Sequence, residues 1–528
     1  MGDNLFRKVH DGYEEYLRDE SRVTGNADTI SFPTCDAEIF KVIKYNYDRG
    51  IPTTIQGART GLAAGSIPNG GHIINLMKMD NILSIRMDDE SNFYLTVQPG
   101  ITLTQLREKI RTKKIDTSKF DDKSMEAYRA FLSSREMFFT PDPTEASATL
   151  GGMVACNASG ARSYLYGSTR DHISALKVTL SDGETINIER GRNIAKGRKL
   201  SLITDNGKEI VIELPKYNMP HTKNTSGYYI KDNMDAIDLF IGSDGTLGII
   251  SEIEIKLRKL PKIIWGGMCF IKNTESLVEM VDSVRSKYDN IASIEYFDGN
   301  ALEILRNQKS NNKAFKNLPE IIAGSTGAIY LELHTETETA AVEKLRNIGM
   351  LLEKLGESSS NTWVARNNFD KDKLYFFRHA VPESVNMLID QRRKKYRNIT
   401  KLGTDMAVPD KHLGKAIETY NRMLKIEGLE SATWGHIGDN HLHVNILPNN
   451  QDEFDKGKAI HRVWAENIVK MEGAVSAEHG VGKTKTDMLR IMYGDRFISE
   501  MRKLKLQIDN KGILNRGNMF SIEEGELI

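Results

Sequence analysis

The chain has 528 residues, and 72 Lys+Arg are balanced by 72 Asp+Glu, so the formal net charge is zero. That balance excludes the basic excess of a general nucleic-acid binder. A content of 39% hydrophobic and 27% charged residues excludes global disorder and a collagen-like repeat, and the length allows roughly two to four domains.

Residues 1–30 read as a charged, partly helical N-terminal extension without a signal peptide's apolar centre. Asp36 can cap a helix in which Ile39, Val42, Ile43 and Tyr47 recur at helical spacing and which Gly50 ends. A short strand at 51–55 leads into the loop Gln56–Pro68, followed by strands at 73–76 and 93–97. Thr102-Leu-Thr-Gln105 fits a capping box opening a helix. Residues 111–137 read as a charged, exposed insertion, and Asp182-Gly183 between apolar runs predicts a hairpin. Residues 190–235 are polar and basic and read as a long solvated loop, with peripheral membrane attachment as the alternative. A strand near 250–257 closes this half, and Pro261 marks the boundary.

The second half opens with a strand at 263–271. Then follow a helix near 274–288, strands at 291–297 and 328–334 and a helix near 336–356, an alternation typical of a ferredoxin-like α+β layer. Helices near 367–395, 410–426, 452–471 and 484–508 complete the chain. No apolar run approaches the ~18 residues of a membrane span. Cys35, Cys156 and Cys269 are widely spaced and odd in number, which favours a reducing compartment. With no Cys-x-x-Cys, any four-cysteine iron–sulfur cluster would have to sit on a separate subunit.

Three glycine-rich stretches lie in the first half: Gln56–Pro68, Thr140–Gly167 and Ile241–Ile249. Glycine lets backbone N–H groups turn inward and a phosphate approach closely. The first loop departs from Gly-x-Gly-x-x-Gly, so a Rossmann dinucleotide site is not supported, and taken alone it reads equally as a plain turn or a phosphate site. In the second half, Trp434–Asn445 holds His436, His441 and His443, and Ser476-Ala-Glu478-His479-Gly480 follows. His441 and His443 alternate along a strand and share a face. Imidazoles with one carboxylate suit a borderline divalent cation such as zinc or manganese, or a catalytic site. Arg378 and Lys401 are candidate carboxylate holders, against the ordinary reading of solvated basic residues.

The colinear order Gly57-Ala-Arg-Thr-Gly61-Leu, Pro141-Asp-Pro, Asn157-Ala-Ser-Gly160, Tyr166-Gly167, Gly242–Gly248, Gly435-His-Ile-Gly-Asp, Ser476–Gly480 and Gly512-Ile-Leu-Asn515 resembles the FAD-dependent D-2-hydroxyacid dehydrogenases. These include FAD-linked D-lactate dehydrogenase, D-2-hydroxyglutarate dehydrogenase and the flavin subunit of glycolate oxidase, in the vanillyl-alcohol-oxidase-like flavoprotein superfamily. The resemblance implies an α+β protein. A two-subdomain FAD-binding domain would span 31–260, a ferredoxin-like substrate domain with C-terminal helices 261–516, and a tail 517–528. It implies that Gly57, Ala58, Arg59, Thr60 and Gly61 hold the FAD pyrophosphate. Pro141, Gly151, Gly152, Asn157, Ser159, Gly160, Gly167, Gly248 and Ile249 would line the remainder, with Asn515 near the flavin. The first loop has no His, so FAD is expected to be non-covalent.

The resemblance carries the metal ligands over as His436, His443 and Glu478, the base as His479, and the substrate-carboxylate holders as Arg378 and Lys401. Where many relatives have Gly-Asp-Gly-Asn, this chain has Gly438-Asp-Asn-His441, so His441 is either an extra ligand or part of the pocket wall. Pro382 stands where some hydroxyglutarate enzymes have Thr. The expected reaction is oxidation of a D-2-hydroxy acid, D-lactate first, with 2-hydroxyglutarate and glycolate behind it. The expected partners are that small acid and an electron acceptor, whether quinone, cytochrome or electron-transfer flavoprotein. No nucleic acid is expected, a cytoplasmic or inner-face peripheral location is, and a homodimer is compatible. A metal hydrolase using His436, His443 and Glu478 is the rival reading; it leaves the glycine stretches without a role.

Overall fold

The computed structural model describes residues 5–522, so the outer ends of the expected extension and tail, 1–4 and 523–528, lie outside the described residues. A four-stranded sheet carries Arg7–Lys8, Thr29–Ser31, His72–Asn75 and Thr53–Gln56 side by side. The helix Asp36–Arg49 buries Ile39, Val42 and Ile43 against it and ends at Gly50, whose φ of +64° suits glycine. Cys35 rather than Asp36 is the capping residue, and Asp36 occupies the first helical position. The pairing of Arg7–Lys8 with Thr29–Ser31 makes the start of the chain part of this sheet.

The second subdomain is a five-stranded antiparallel sheet ordered Ile82–Met87, Phe93–Val97, Ile249–Lys256, Ile173–Thr179, Thr185–Glu189. Thr102 and Gln105 form the expected capping box. The insertion 111–137 is not merely exposed: its helix Asp122–Ser133 buries Ala127 and Phe131 in the subdomain core. Nor is 190–235 a solvated loop. That segment contains the hairpin Lys199–Ile203 with Glu209–Glu213, and Tyr217 and Tyr228 are fully buried. It therefore forms part of the core, not a free basic arm.

The second domain is an eight-stranded antiparallel sheet. Its central strands are buried on both faces and largely apolar, with Glu295, Glu332 and His334 among the polar exceptions. Cys269, Ile271, Ile329 and Leu331 face the helices Ser276–Lys287, Glu338–Lys354, Leu413–Glu427 and Gln451–Lys470. Met268, Phe270, Ala328 and Tyr330 face Gly299–Asn311 and Asn368–Arg393. The helix Gly299–Asn311, capped by Asp298, has no counterpart in the sequence reading. Pro382 lies inside Asn368–Arg393.

The chain then returns to the first domain. Leu489, Tyr493, Met501 and Leu504 of the helix Thr486–Ile508 join the core of the five-stranded sheet, and Leu514 bridges to Thr53. The helix is interrupted at Gly494, where φ is +72°. No helix among the described residues is long and apolar enough to cross a membrane.

Candidate active site at the junction of the two domains

The strand Ser431–His436 turns at Ile437–Asp439 and pairs back with His441–Ile446. In that register His436 lies directly opposite His441, and His443 follows two residues on, so all three imidazoles share one face. Asn440, with φ +54°, closes the turn and is held by Arg285 and Asp410. The turn Ser476–Gly480 then brings Glu478 against the rings. Glu478 Oε2 lies 3.3 Å from His436 Nε2, and Oε1 lies 3.5 Å from His443 Nε2. One ligand atom from each of His436, His441, His443 and Glu478 falls within 4.8 Å of the others. This donor set fits a borderline divalent cation.

His479 stacks on His443, with centroids 5.4 Å apart and planes at 9°. Its side chain is 27% exposed, against 9%, 0% and 14% for His436, His441 and His443. It is thus the imidazole of the cluster with the greatest access to a small molecule.

Several residues that the sequence reading missed hold this arrangement. Glu295 accepts a hydrogen bond from His436 Nδ1 at 2.8 Å. Burial opposes charge on His436, but Glu295 and Glu478 outweigh it and raise its pKa to about 10. Lys223 places its ammonium 2.6 Å from Glu478 Oε2. Burial opposes ionisation of Glu478, yet Lys223 and His436 hold its carboxyl well below the usual range. Asp405 accepts from the backbone N–H of Glu478 and His479, each at 3.1 Å, from Ser476 Oγ at 2.7 Å, and from Lys485. The sequence offered a signal for Glu295, a lone acid within the apolar run Ile291–Phe297. Lys223 gave none, because its segment has no periodicity.

Arg378 is half-buried between Tyr330, 4.9 Å from its guanidinium, and Glu295, at 3.7 Å. Glu295 thereby links Arg378 to His436. Lys401 lies 5.8 Å over the Trp434 ring, and burial pushes its ammonium down to about 8.

The three glycine stretches converge on the same junction. The loop Gly57–Gly61 leaves the strand Thr53–Gln56, and a Cβ on Gly57 would lie 2.0 Å from Thr149 Oγ1, just before the helix Leu150–Cys156 that contains Gly151 and Gly152. A Cβ on Gly160 would lie 1.8 Å from the Asp142 carbonyl, next to Pro141, and one on Gly248 would lie 2.4 Å from Val178, where Ile249 starts its strand. Asn157 accepts from the Arg170 N–H, close to Gly167. Asn515 accepts from the Ile55 N–H at 2.8 Å and donates to the Asp244 carbonyl at 2.8 Å, which stitches the C-terminal return to the first and third stretches.

Two features of the first loop fit the diphosphate of FAD. Arg59 Nη1 is buried with no aligned partner, and the side of Gly61 where a Cβ would stand is open. Ser159, in the second stretch, donates to Glu478 Oε2 at 3.1 Å, so that stretch reaches the imidazole cluster directly.

This combination defines a two-domain flavoenzyme. The family model described as "FAD linked oxidases, C-terminal domain" matches residues 261–519, and "FAD binding domain" matches 27–118 and 125–189. The chain belongs to these FAD-linked oxidases. It is similar to a D-lactate dehydrogenase of Anaerostipes hadrus, 27% identical over 96% of this chain and 92% of the relative. It is also similar to a D-2-hydroxyglutarate dehydrogenase of Stutzerimonas stutzeri (strain A1501), 23% identical over 93% and 90%. Among solved structures, an alkyldihydroxyacetonephosphate synthase superposes with TM-score 0.61 at 14% identity, over 98% of this chain and 82% of that one. The fold is thus the vanillyl-alcohol-oxidase type of FAD-binding fold.

Proposed function

We propose that the protein oxidises a D-2-hydroxy acid, D-lactate first, to the 2-oxo acid, using non-covalent FAD. One observation carries the reading. The turn Ser476–Gly480 of the imidazole cluster is built onto FAD-domain residues, with Ser159 bonded to Glu478 and Ser226 and Thr225 bonded to Ser476. A hydrolase would not need that junction.

In this reading Gly57, Ala58, Arg59, Thr60 and Gly61 hold the diphosphate, and His436, His443 and Glu478 hold zinc or manganese. When bound, FAD supplies the acceptor for the hydride leaving C2, and the cation supplies Lewis acidity toward the substrate hydroxyl. His479 takes the hydroxyl proton on its ring. Lys401 and Arg378 supply positive charge to the substrate carboxylate, Arg378 from a position fixed by Glu295. The electron acceptor would be a quinone, a cytochrome or an electron-transfer flavoprotein.

Relatives named D-lactate dehydrogenase, from Anaerostipes hadrus and Archaeoglobus fulgidus among others, support lactate. Pro382, where some hydroxyglutarate enzymes have Thr, argues in the same direction. Turnover of D-lactate, D-2-hydroxyglutarate and glycolate with an artificial dye acceptor tests the reading. The highest kcat/KM is expected with D-lactate. Dye reduction by none of these acids would overturn it.

A further inference from the structure

The geometry points to His441 as a fourth protein ligand, so that three imidazoles and one carboxylate hold the cation; this rests on the metal reading above. The family pattern carried over to this chain supplies His436, His443 and Glu478, and it has no His at the position of His441.

The three rings are presented in the same way. A metal-bound imidazole turns one nitrogen to the metal and the other to an acceptor that fixes its orientation and tautomer. His436 turns Nε2 toward Glu478 and Nδ1 toward Glu295, 2.8 Å away. His443 turns Nε2 toward Glu478 and Nδ1 toward the Thr404 carbonyl, 3.1 Å away. His441 follows the same pattern with its nitrogens exchanged. Nδ1 faces Glu478 Oε2 at 3.8 Å, and Nε2 lies 3.0 Å from Asp405 Oδ1.

His441 is also the ring with the greatest need of a partner. Its side chain is fully buried; Nε2 has Asp405 Oδ1 3.0 Å away, but Nδ1 has no hydrogen-bond partner among the described residues. Buried polar atoms are almost always satisfied, and an exception calls for an explanation. A cation between Nδ1 and Glu478 provides one. It would also place Asp405 behind His441 as Glu295 stands behind His436. Asp405 already anchors Glu478 and His479 through their backbone N–H groups, so one carboxylate would orient a ligand and hold the turn that carries another ligand and the base.

The test is X-ray absorption on the zinc-loaded wild-type holoenzyme, which counts imidazole ligands without any mutation. Three are expected, and two would overturn the proposal. A His441→Asn variant, with flavin retention as its folding control, is expected to bind zinc roughly tenfold or more weakly in chelator competition. Unchanged zinc affinity would also overturn the proposal. Wild-type protein that takes up neither zinc nor manganese would instead remove the metal reading itself, which separates the two failures.

Discussion

Glu295 Oε1 accepts a hydrogen bond from Nδ1 of His436 at 2.8 Å, and its other oxygen lies 3.7 Å from Arg378. A single buried carboxylate thus joins the ring that faces Glu478 to the guanidinium proposed to hold the substrate carboxylate. Glu295→Gln keeps the shape but removes the charge. Metal affinity is expected to fall about 10–100-fold, read by elemental analysis after dialysis against graded chelator, while FAD content stays unchanged. Full metal retention would show that His436 needs no such partner.

His479 is the accessible imidazole of the cluster and the expected base. His479→Ala should retain FAD and metal but reduce its flavin about 10²–10⁴-fold more slowly with D-lactate. Stopped-flow absorbance measures this directly. A wild-type rate would assign the proton transfer to another group.

Lys401 gives a pH signature. Burial lowers its pKa from the usual 10.5 to about 8, and it attracts a carboxylate only while protonated. Substrate affinity is therefore present below pH 8 and falls as pH rises through that value, seen as a rising KM. Lys401→Met should raise KM roughly 10–100-fold, the span expected for a lost charged hydrogen bond, and flatten the profile. Lys401→Arg should hold KM low above pH 8. A KM that is flat with pH in the wild type would remove Lys401 from the site.

Gly482 packs the segment that follows the turn Ser476–Gly480 against the first glycine loop. Its φ is +49°, and a Cβ there would lie 2.0 Å from the Ala63 carbonyl. Gly482→Ala is expected to cost about 1–3 kcal/mol, lowering Tm and loosening FAD, as shown by flavin lost on gel filtration. An unchanged Tm with full flavin would mean that this contact yields freely.

Much of this arrangement was legible from spacing. The alternation of His441 and His443 predicts a shared face, and the capping box at Thr102 and the cap at Gly50 follow from local chemistry. The central strands of the second domain read correctly because they are largely apolar on both faces. Lys223 was not legible. It sits in an aperiodic polar segment whose order comes from tertiary packing of Tyr217 and Tyr228, and only the fold brings it to Glu478. Asp405 was also hidden, because its role depends on backbone N–H groups more than seventy residues away. The helix Thr486–Ile508 was found, but not its return to the first domain, since an amphipathic pattern names a buried face without naming what covers it.

Bound FAD is expected to be reduced by a D-2-hydroxy acid at the imidazole cluster. Anaerobic addition of D-lactate to the purified holoenzyme, followed in the visible flavin bands, tests it most directly. The yellow colour is expected to bleach in the wild type and to persist over the same interval in His479→Ala. Protein that stays colourless after incubation with FAD, or flavin that no 2-hydroxy acid bleaches, would contradict it.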